Sequence, residues 1–319
     1  MSIKSCAMRD AFLERIWESM AIDDKVFFIS ADFGSPVLDK IRNDFPERFI
    51  NVGIAEQNLI NITAGLALEG YTVFAYAIAP FITMRCYEQI RVSLALLSEI
   101  RPINVTLIGV GAGYSYVVSG PTHQCYEDIT IMRALPNFRV LSPSDHVTAD
   151  SMFDSCINTK GLTYIRMDAQ VLPVIYNNIT PDVKKGFHVH QYGDSICLIA
   201  TGYMLHTAQK VAKELALDGF QLGIIDIFNL TTFNRDEFYD VLSGYTGLVS
   251  LEEGFRGRGG LDSMLFEFIN RNGLSTRMLN LGVEPGYRFD IGSRAELHEK
   301  VGIGPNIVAS TIREYIAHL

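Results

Sequence analysis

The sequence predicts an α/β protein made of two doubly wound, mainly parallel-sheet domains. Three observations lead there. The chain has 319 residues, more than one typical domain holds and a fair length for two. Short apolar runs alternate with helix-like segments, the pattern of a parallel sheet covered by helices on both faces. Between the two halves lie Pro173, Asn177-Asn178, Pro181 and Lys184-Lys185, a composition suited to a linker. The expected division is residues 1–172, a linker at 173–192, and residues 193–319.

Each element has its own signal. Arg9 to Met20 carries Phe12, Leu13, Ile16 and Trp17 as an apolar helical stripe. Val26 to Ala31 is a buried strand with a polar tip at Asp32. Pro36 to Arg42 reads as a helix. Glu56 opens a nearly all-apolar helix running towards Gly70. A carboxylate there is stabilised by free backbone N–H groups and the helix dipole, so Glu56 is either a cap or a working acid. A strand at Tyr71–Ala77, a long helix near Phe81–Leu97 and a strand at Ile103–Gly109 follow. After a glycine-rich, aromatic loop come a helix near Tyr126–Ala134, a strand at Phe138–Leu141, a helix at Asp145–Cys156 and a strand at Leu162–Arg166. In such sheets functional groups gather at the carboxyl ends of strands. Asp32, the Gly111–His123 loop and Arg166 fall at those ends.

A second alternation places strands at Ser195–Ala200, Gln221–Ile225, Gly247–Leu251 and Arg277–Leu281. Helices lie near Leu205–Leu217, Arg235–Leu242 and Gly260–Asn270, with a last one ending at Ile316. His188 and His190 share one face of an extended stretch; with no third ligand nearby, a solvated strand is preferred to a metal pair. The glycines from Gly254 to Gly260 fit neither the dinucleotide fingerprint nor the P-loop, so they read as a tight strand-to-helix turn.

Composition sets limits on function. Hydrophobic residues at 48% and charged residues at 20% describe an ordinary soluble protein. The net charge of −9 argues against nucleic acid or an anionic membrane as main partner. The apolar region Leu59–Met84 is broken by Glu69, Gly70 and Pro80, which argues against a membrane span. The first residues lack a signal-peptide core, and five cysteines without a Cys-x-x-Cys pair suit a reducing cytoplasm.

Ala31-Asp32, Gly53-Ile54-Ala55-Glu56-Gln57-Asn58, the Phe81–Arg91 segment, Gly120-Pro121-Thr122-His123-Gln124 and Arg133-Ala134-Leu135-Pro136-Asn137 occur in this order. With them the chain resembles the carboxyl-terminal half of a transketolase, from pyrimidine-binding domain to C-terminal domain. The 1-deoxy-xylulose-5-phosphate synthases share much of the pattern, and beta subunits of 2-oxo-acid dehydrogenases share its size. Neither matches the Gly-Pro-Thr-His-Gln loop and the chain length together. A non-catalytic partner of a thiamine enzyme is the alternative of a different class; it would need neither Glu56 nor His123.

The resemblance implies thiamine diphosphate as cofactor, with the protein positioning and ionising it. It implies that Glu56 hydrogen-bonds the aminopyrimidine, that Phe81 packs on that ring, and that Asp32, Met84 and Tyr87 complete the cofactor side. Met84 departs from the family's aromatic residue there. His123 resembles the histidine that meets the donor sugar's hydroxyl and carbonyl groups. Arg9, Ser35 and Arg166 align with positions that hold substrate phosphate, where a guanidinium fork is apt. The family's Gly-Asp-Gly motif for Mg²⁺ and diphosphate does not occur in this sequence. That implies a partner subunit carrying the Mg²⁺ ligands, no metal ligands in this chain, and an α2β2 heterotetramer. Ser119 stands where the family has Asp, and Gly111 where many members have a phosphate-binding His. Those two departures, with Tyr114 and Tyr116 nearby, imply that at least one sugar substrate is not an ordinary short sugar phosphate.

Overall fold

The computed structural model describes residues 5–32 and 34–319; residues 1–4, where the sequence lacks a signal-peptide core, lie outside them. Helix α1 (Met8–Ile22) buries Phe12, Leu13 and Ile16, and Trp17 at its edge donates to Asp44. Strand β1 (Val26–Ser30) is buried at every position. Helix α2 (Pro36–Asp44) starts with proline at N1 and is capped by Ser35, whose Oγ accepts from Leu38 N. Strand β2 (Phe49–Asn51) leads to α3 (Glu56–Leu68), which packs Leu59, Ile60, Ala64 and Ala67 on the sheet. Strand β3 (Thr72–Ile78) follows.

The segment expected to be one α-helix from Phe81 is wound differently. A π-helical turn at Phe81–Arg85 precedes α4 (Tyr87–Gln89); a second at Ile90–Leu96 precedes α5 (Leu97–Ile100). Wider turns change which side chains share a face: Phe81 lies one turn from Arg85 and Cys86, where an α-helix would give Met84 and Arg85. Strand β4 (Asn104–Val110), α6 (Asp128–Arg133), β5 (Phe138–Leu141), α7 (His146–Asn158) and β6 (Gly161–Met167) complete the first half. Among the described residues its six strands run in the order β2-β1-β3-β4-β6-β5, all parallel.

The second half holds β7 (Phe187–Gln191), β8 (Ile196–Ala200), α8 (Met204–Leu217), β9 (Gly223–Ile227), α9 (Arg235–Leu242) and β10 (Gly247–Phe255). It ends with α10 (Leu261–Asn272), β11 (Arg277–Val283), α11 (Arg294–Lys300) and α12 (Pro305–Ala317). The sheet order is β11-β10-β8-β9-β7, parallel except for β7. The second sheet thus begins inside the stretch that reads as a linker: β7, with His188 and His190, is its antiparallel edge strand.

The two halves share a polar seam. Arg133 donates to the carbonyls of Leu230, Gly259 and Gly260. The glycine turn after β10 is closed by the protein itself, since the Glu252 carboxylate accepts from Leu261 N and Asp262 N at 2.9 and 3.0 Å. A phosphate at that helix start would need the place Glu252 holds. Among the described residues no helix is long and apolar enough to cross a membrane, and no group of three or more His, Cys, Asp or Glu could hold a metal ion.

Candidate active site

A doubly wound sheet leaves a crevice where its strand order reverses. In the first sheet the chain steps outward from β1 to β2, then returns across β1 to β3. The crevice therefore lies at the carboxyl ends of β1 and β3. Asp32 follows β1, Phe81 follows β3, and the connecting helix α3 starts there with Glu56.

Glu56 is 2% exposed. The residue before it, Ala55, offers no side-chain cap. The Glu56 carboxylate is instead engaged by a side chain: its Oε2 accepts from Arg85 Nη1 at 2.7 Å. The Arg85 side chain is 43% exposed, and its guanidinium lies 4.4 Å from the centre of the Phe81 ring. Among the described residues this buried carboxylate is held by one flat cation, itself resting on an aromatic face. Burying a carboxylate with so little compensation is unfavourable unless the site serves another purpose.

His123 also meets the Phe81 ring, with ring centres 5.2 Å apart and an edge-on geometry. Its Nδ1 lies 2.9 Å from Thr122 Oγ1, a contact that orients the imidazole and leaves Nε2 for a ligand. The Tyr116 ring centre stands 6.3 Å from that of His123. Gly111 has φ of +103°, and a side-chain carbon there would collide with the Tyr116 ring. Tyr116 thus fills the space over residue 111, and glycine suits both that contact and that backbone. Burial pushes the Tyr116 phenol up to about 12.

The other expected residues divide. Asp32 is exposed, has φ of +48°, and is tied to Asn51 through its backbone N–H at 3.1 Å. It is not the cap of α2; Ser35 is. Arg9 is half-buried, donates to Asp10 at 2.9 Å and interacts with Tyr76 of β3. Ser119 is exposed on the loop before His123. Met84 is 40% exposed, and the Tyr87 hydroxyl donates to the Ile131 carbonyl at 2.8 Å. Arg166 is buried, with Nε and Nη2 donating to both Asp128 oxygens at 2.8 and 3.1 Å. Its fork is engaged within the protein, beside Tyr164, which also donates to Asp128.

Sequence reasoning misses Arg85. Attention to Met84 and Tyr87 after Phe81 passes over Arg85, although a residue four positions on shares a helical face with Phe81. The available signal is a lone Arg in an apolar run, which calls for an acid nearby.

The chemistry of these groups fits the thiamine ring that the sequence implies. An aromatic face at Phe81 and a buried carboxylate at Glu56 are what a flat, nitrogen-bearing heterocycle needs. The Arg85 guanidinium, planar and N–H-rich, already makes both contacts.

Comparison with known proteins gives a consistent picture. Residues 4–174 match the transketolase pyrimidine-binding domain, and residues 185–308 match the transketolase C-terminal domain. One of the subunits of an apulose-4-phosphate transketolase from Actinobacillus succinogenes is 30% identical over 260 residues, 82% of each chain. Human transketolase is 28% identical over 320 residues, covering 97% of this chain and 49% of the human one. A solved structure described as a split gene transketolase, inactive beta4 tetramer, superposes with a TM-score of 0.83 at 27% identity over 98% of both chains.

Proposed function

The chain belongs to the transketolase family, and we propose that it is the pyrimidine-binding half of a split transketolase. Members of this family depend on thiamine diphosphate. With a partner that binds the diphosphate and Mg²⁺, the chain would move a two-carbon ketol unit from a ketose phosphate to an aldehyde. One observation carries this most directly: Glu56, Phe81 and His123 converge at the strand reversal of a sequence that has no Gly-Asp-Gly. Two relatives, one named as a single subunit of a transketolase and one as a split gene transketolase, support the same division.

Thiamine diphosphate supplies the carbanion chemistry when bound. Glu56 would hold a proton against a ring nitrogen, and its burial keeps water from competing for that proton. Phe81 would carry the ring face, with Asp32, Met84 and Tyr87 as the neighbouring wall. His123 would place Nε2 against the donor's hydroxyl or carbonyl oxygen, since Thr122 engages Nδ1. Arg9 and Ser35 would hold an anionic end of the substrate; Arg166 would support that end from its pair with Asp128. Ser119 and the Gly111–Tyr116 contact would set acceptor choice. An α2β2 assembly is the expected form, and a cytoplasmic setting suits five free cysteines, four of them buried.

Reconstitution tests the proposal. The lone chain should show no ketol transfer and bind thiamine diphosphate poorly, and adding a diphosphate-binding partner should restore both. Full activity of the lone chain would refute it. On the reconstituted pair, kcat/KM for ribose 5-phosphate against unphosphorylated and nucleotide-linked aldehydes then decides the acceptor class.

A further inference from the structure

We propose that Arg85 is an internal occupant of the pyrimidine site, holding the place of the cofactor ring and leaving when that ring enters. The proposal rests on the reading of Glu56 and Phe81 as the ring's contacts. Three observations carry it.

The first is geometric. Arg85 Nη1 lies 2.7 Å from Glu56 Oε2, and its guanidinium sits 4.4 Å over the Phe81 ring. These are the two contacts an aminopyrimidine would make, one through its face and one through a nitrogen on its edge. Two planar groups cannot occupy the same face of Phe81 and the same oxygen of Glu56 together.

The second is the difference in exposure along the pair. Glu56 is 2% exposed, whereas the Arg85 side chain is 43% exposed. The acid cannot turn to water, so it needs a partner at all times. The arginine can turn to water, because nearly half of its side chain already meets it. Such a pair is suited to exchange: one fixed acid and two alternative partners.

The third is the winding of the chain. The π-helical turn Phe81–Arg85 sets Arg85 directly over the ring. Nearby, Gln57 Nε2 reaches the Arg85 carbonyl at 3.4 Å, which ties the turn to the first residues of α3. The backbone is thus held while the side chain keeps its freedom.

The consequences oppose each other. In the cofactor-free chain Arg85 compensates the buried Glu56 and supports folding. On binding it competes, and a competing internal conformer lowers apparent affinity by the fraction of time it holds the site. Arg85→Met removes the flat cation and keeps a flexible apolar stem. The melting temperature of the cofactor-free chain should fall by a few degrees. Binding of thiamine diphosphate with Mg²⁺ to the reconstituted pair, measured by calorimetry, should tighten by roughly three- to tenfold, the range of a partly exposed ion pair plus a cation–π contact. Arg85→Lys keeps the charge without the plane; it should preserve the melting temperature and tighten binding less. If Arg85→Met fails to fold, Arg85→Lys carries the test, with equal or weaker binding than the unaltered pair counting against the proposal. Weaker or unchanged binding in Arg85→Met would mean that Arg85 is a standing ligand or a bystander, and would overturn the proposal while leaving the pyrimidine site intact. Failure of the unaltered pair to bind the cofactor would overturn both.

Discussion

In each sheet a buried glutamate lies at a point where the strand order reverses, but the two are treated in opposite ways. Glu253, on β10, lies where the second sheet turns back from β9 across β8. Its Oε1 and Oε2 accept from Arg294 Nε and Nη2 at 3.0 and 2.6 Å, His298 Nε2 stands 2.5 Å away, and Tyr114 N donates at 3.1 Å. Arg294 also reaches Asp168 beyond β6, and its guanidinium packs 3.5 Å over Tyr203. The side chains of Glu253, Arg294, Asp168 and His298 are each at most 5% exposed. Glu56 is paired with Arg85, which stands partly in water. A buried charge with its hydrogen-bonding capacity filled makes a rigid joint; one with capacity left over makes a site. The second crevice is filled by the protein and locks the two halves together. In the proposed function the first is kept for a ligand.

The contrast is most exposed to failure at Arg294. Arg294→Met would take the guanidinium from both Glu253 and Asp168, leaving Glu253 to His298 and Tyr114 N and Asp168 to Gln170 N, and should cost about 3–5 kcal/mol of stability in urea unfolding. A loss under about 1 kcal/mol, the scale of exposed pairs, would mean the joint is no tighter than a surface contact.

Acidity separates the buried carboxylates further, with opposite signs. Burial tends to raise the Glu253 pKa, but Arg294 and His298 beside it hold the carboxyl well below its usual range. Its contribution is present above the unfolded carboxylate pKa of about 4.3 and is lost as pH falls below that towards the folded pKa. Asp226 behaves in reverse. Burial pushes it up to about 7, against the bonds it accepts from Ser144 and Tyr176. Its contribution is full below the unfolded pKa of about 3.9 and declines as pH rises through about 7. Asp226→Asn should therefore flatten the fall in stability between those two pH values. An unchanged slope in denaturant titrations across that window would show that Asp226 does not set it.

The smallest expected effect is at Ser35. Its hydroxyl caps α2 through Leu38 N at 3.2 Å, so Ser35→Ala should lower stability by about 1 kcal/mol. A rise in KM for phosphorylated substrates, with kcat held, would add substrate contact to that capping role. An unchanged KM would leave Ser35 as a cap alone.

Much of this is legible in the sequence, for definite reasons. Strands β1, β3, β4 and β8 are buried along most or all of their length and stand out as apolar runs. Strand β2 is three residues long and partly exposed, so nothing marks it. Strand β7 is an edge strand with polar alternation inside a Pro- and Asn-containing stretch, and composition points to a linker there. Helix α11 carries Arg294 and His298 inward beside Leu297, so its buried face is mainly polar and lacks an apolar stripe. At the site, Glu56 and His123 stand out through motif order. The engagement of Arg166 by Asp128 does not, because the two are 38 residues apart and only the folded chain brings them together.

Whether the first crevice is a working site turns on Glu56→Gln in the reconstituted enzyme, with turnover and melting temperature taken on the same sample. Glutamine keeps the shape and a hydrogen bond but cannot share a proton. Turnover at saturating thiamine diphosphate should fall by a factor on the order of 10² or more, while the melting temperature stays close to that of the unaltered enzyme. Near-full turnover would contradict this reading, since the buried acid at the first crevice would then have no part in the chemistry.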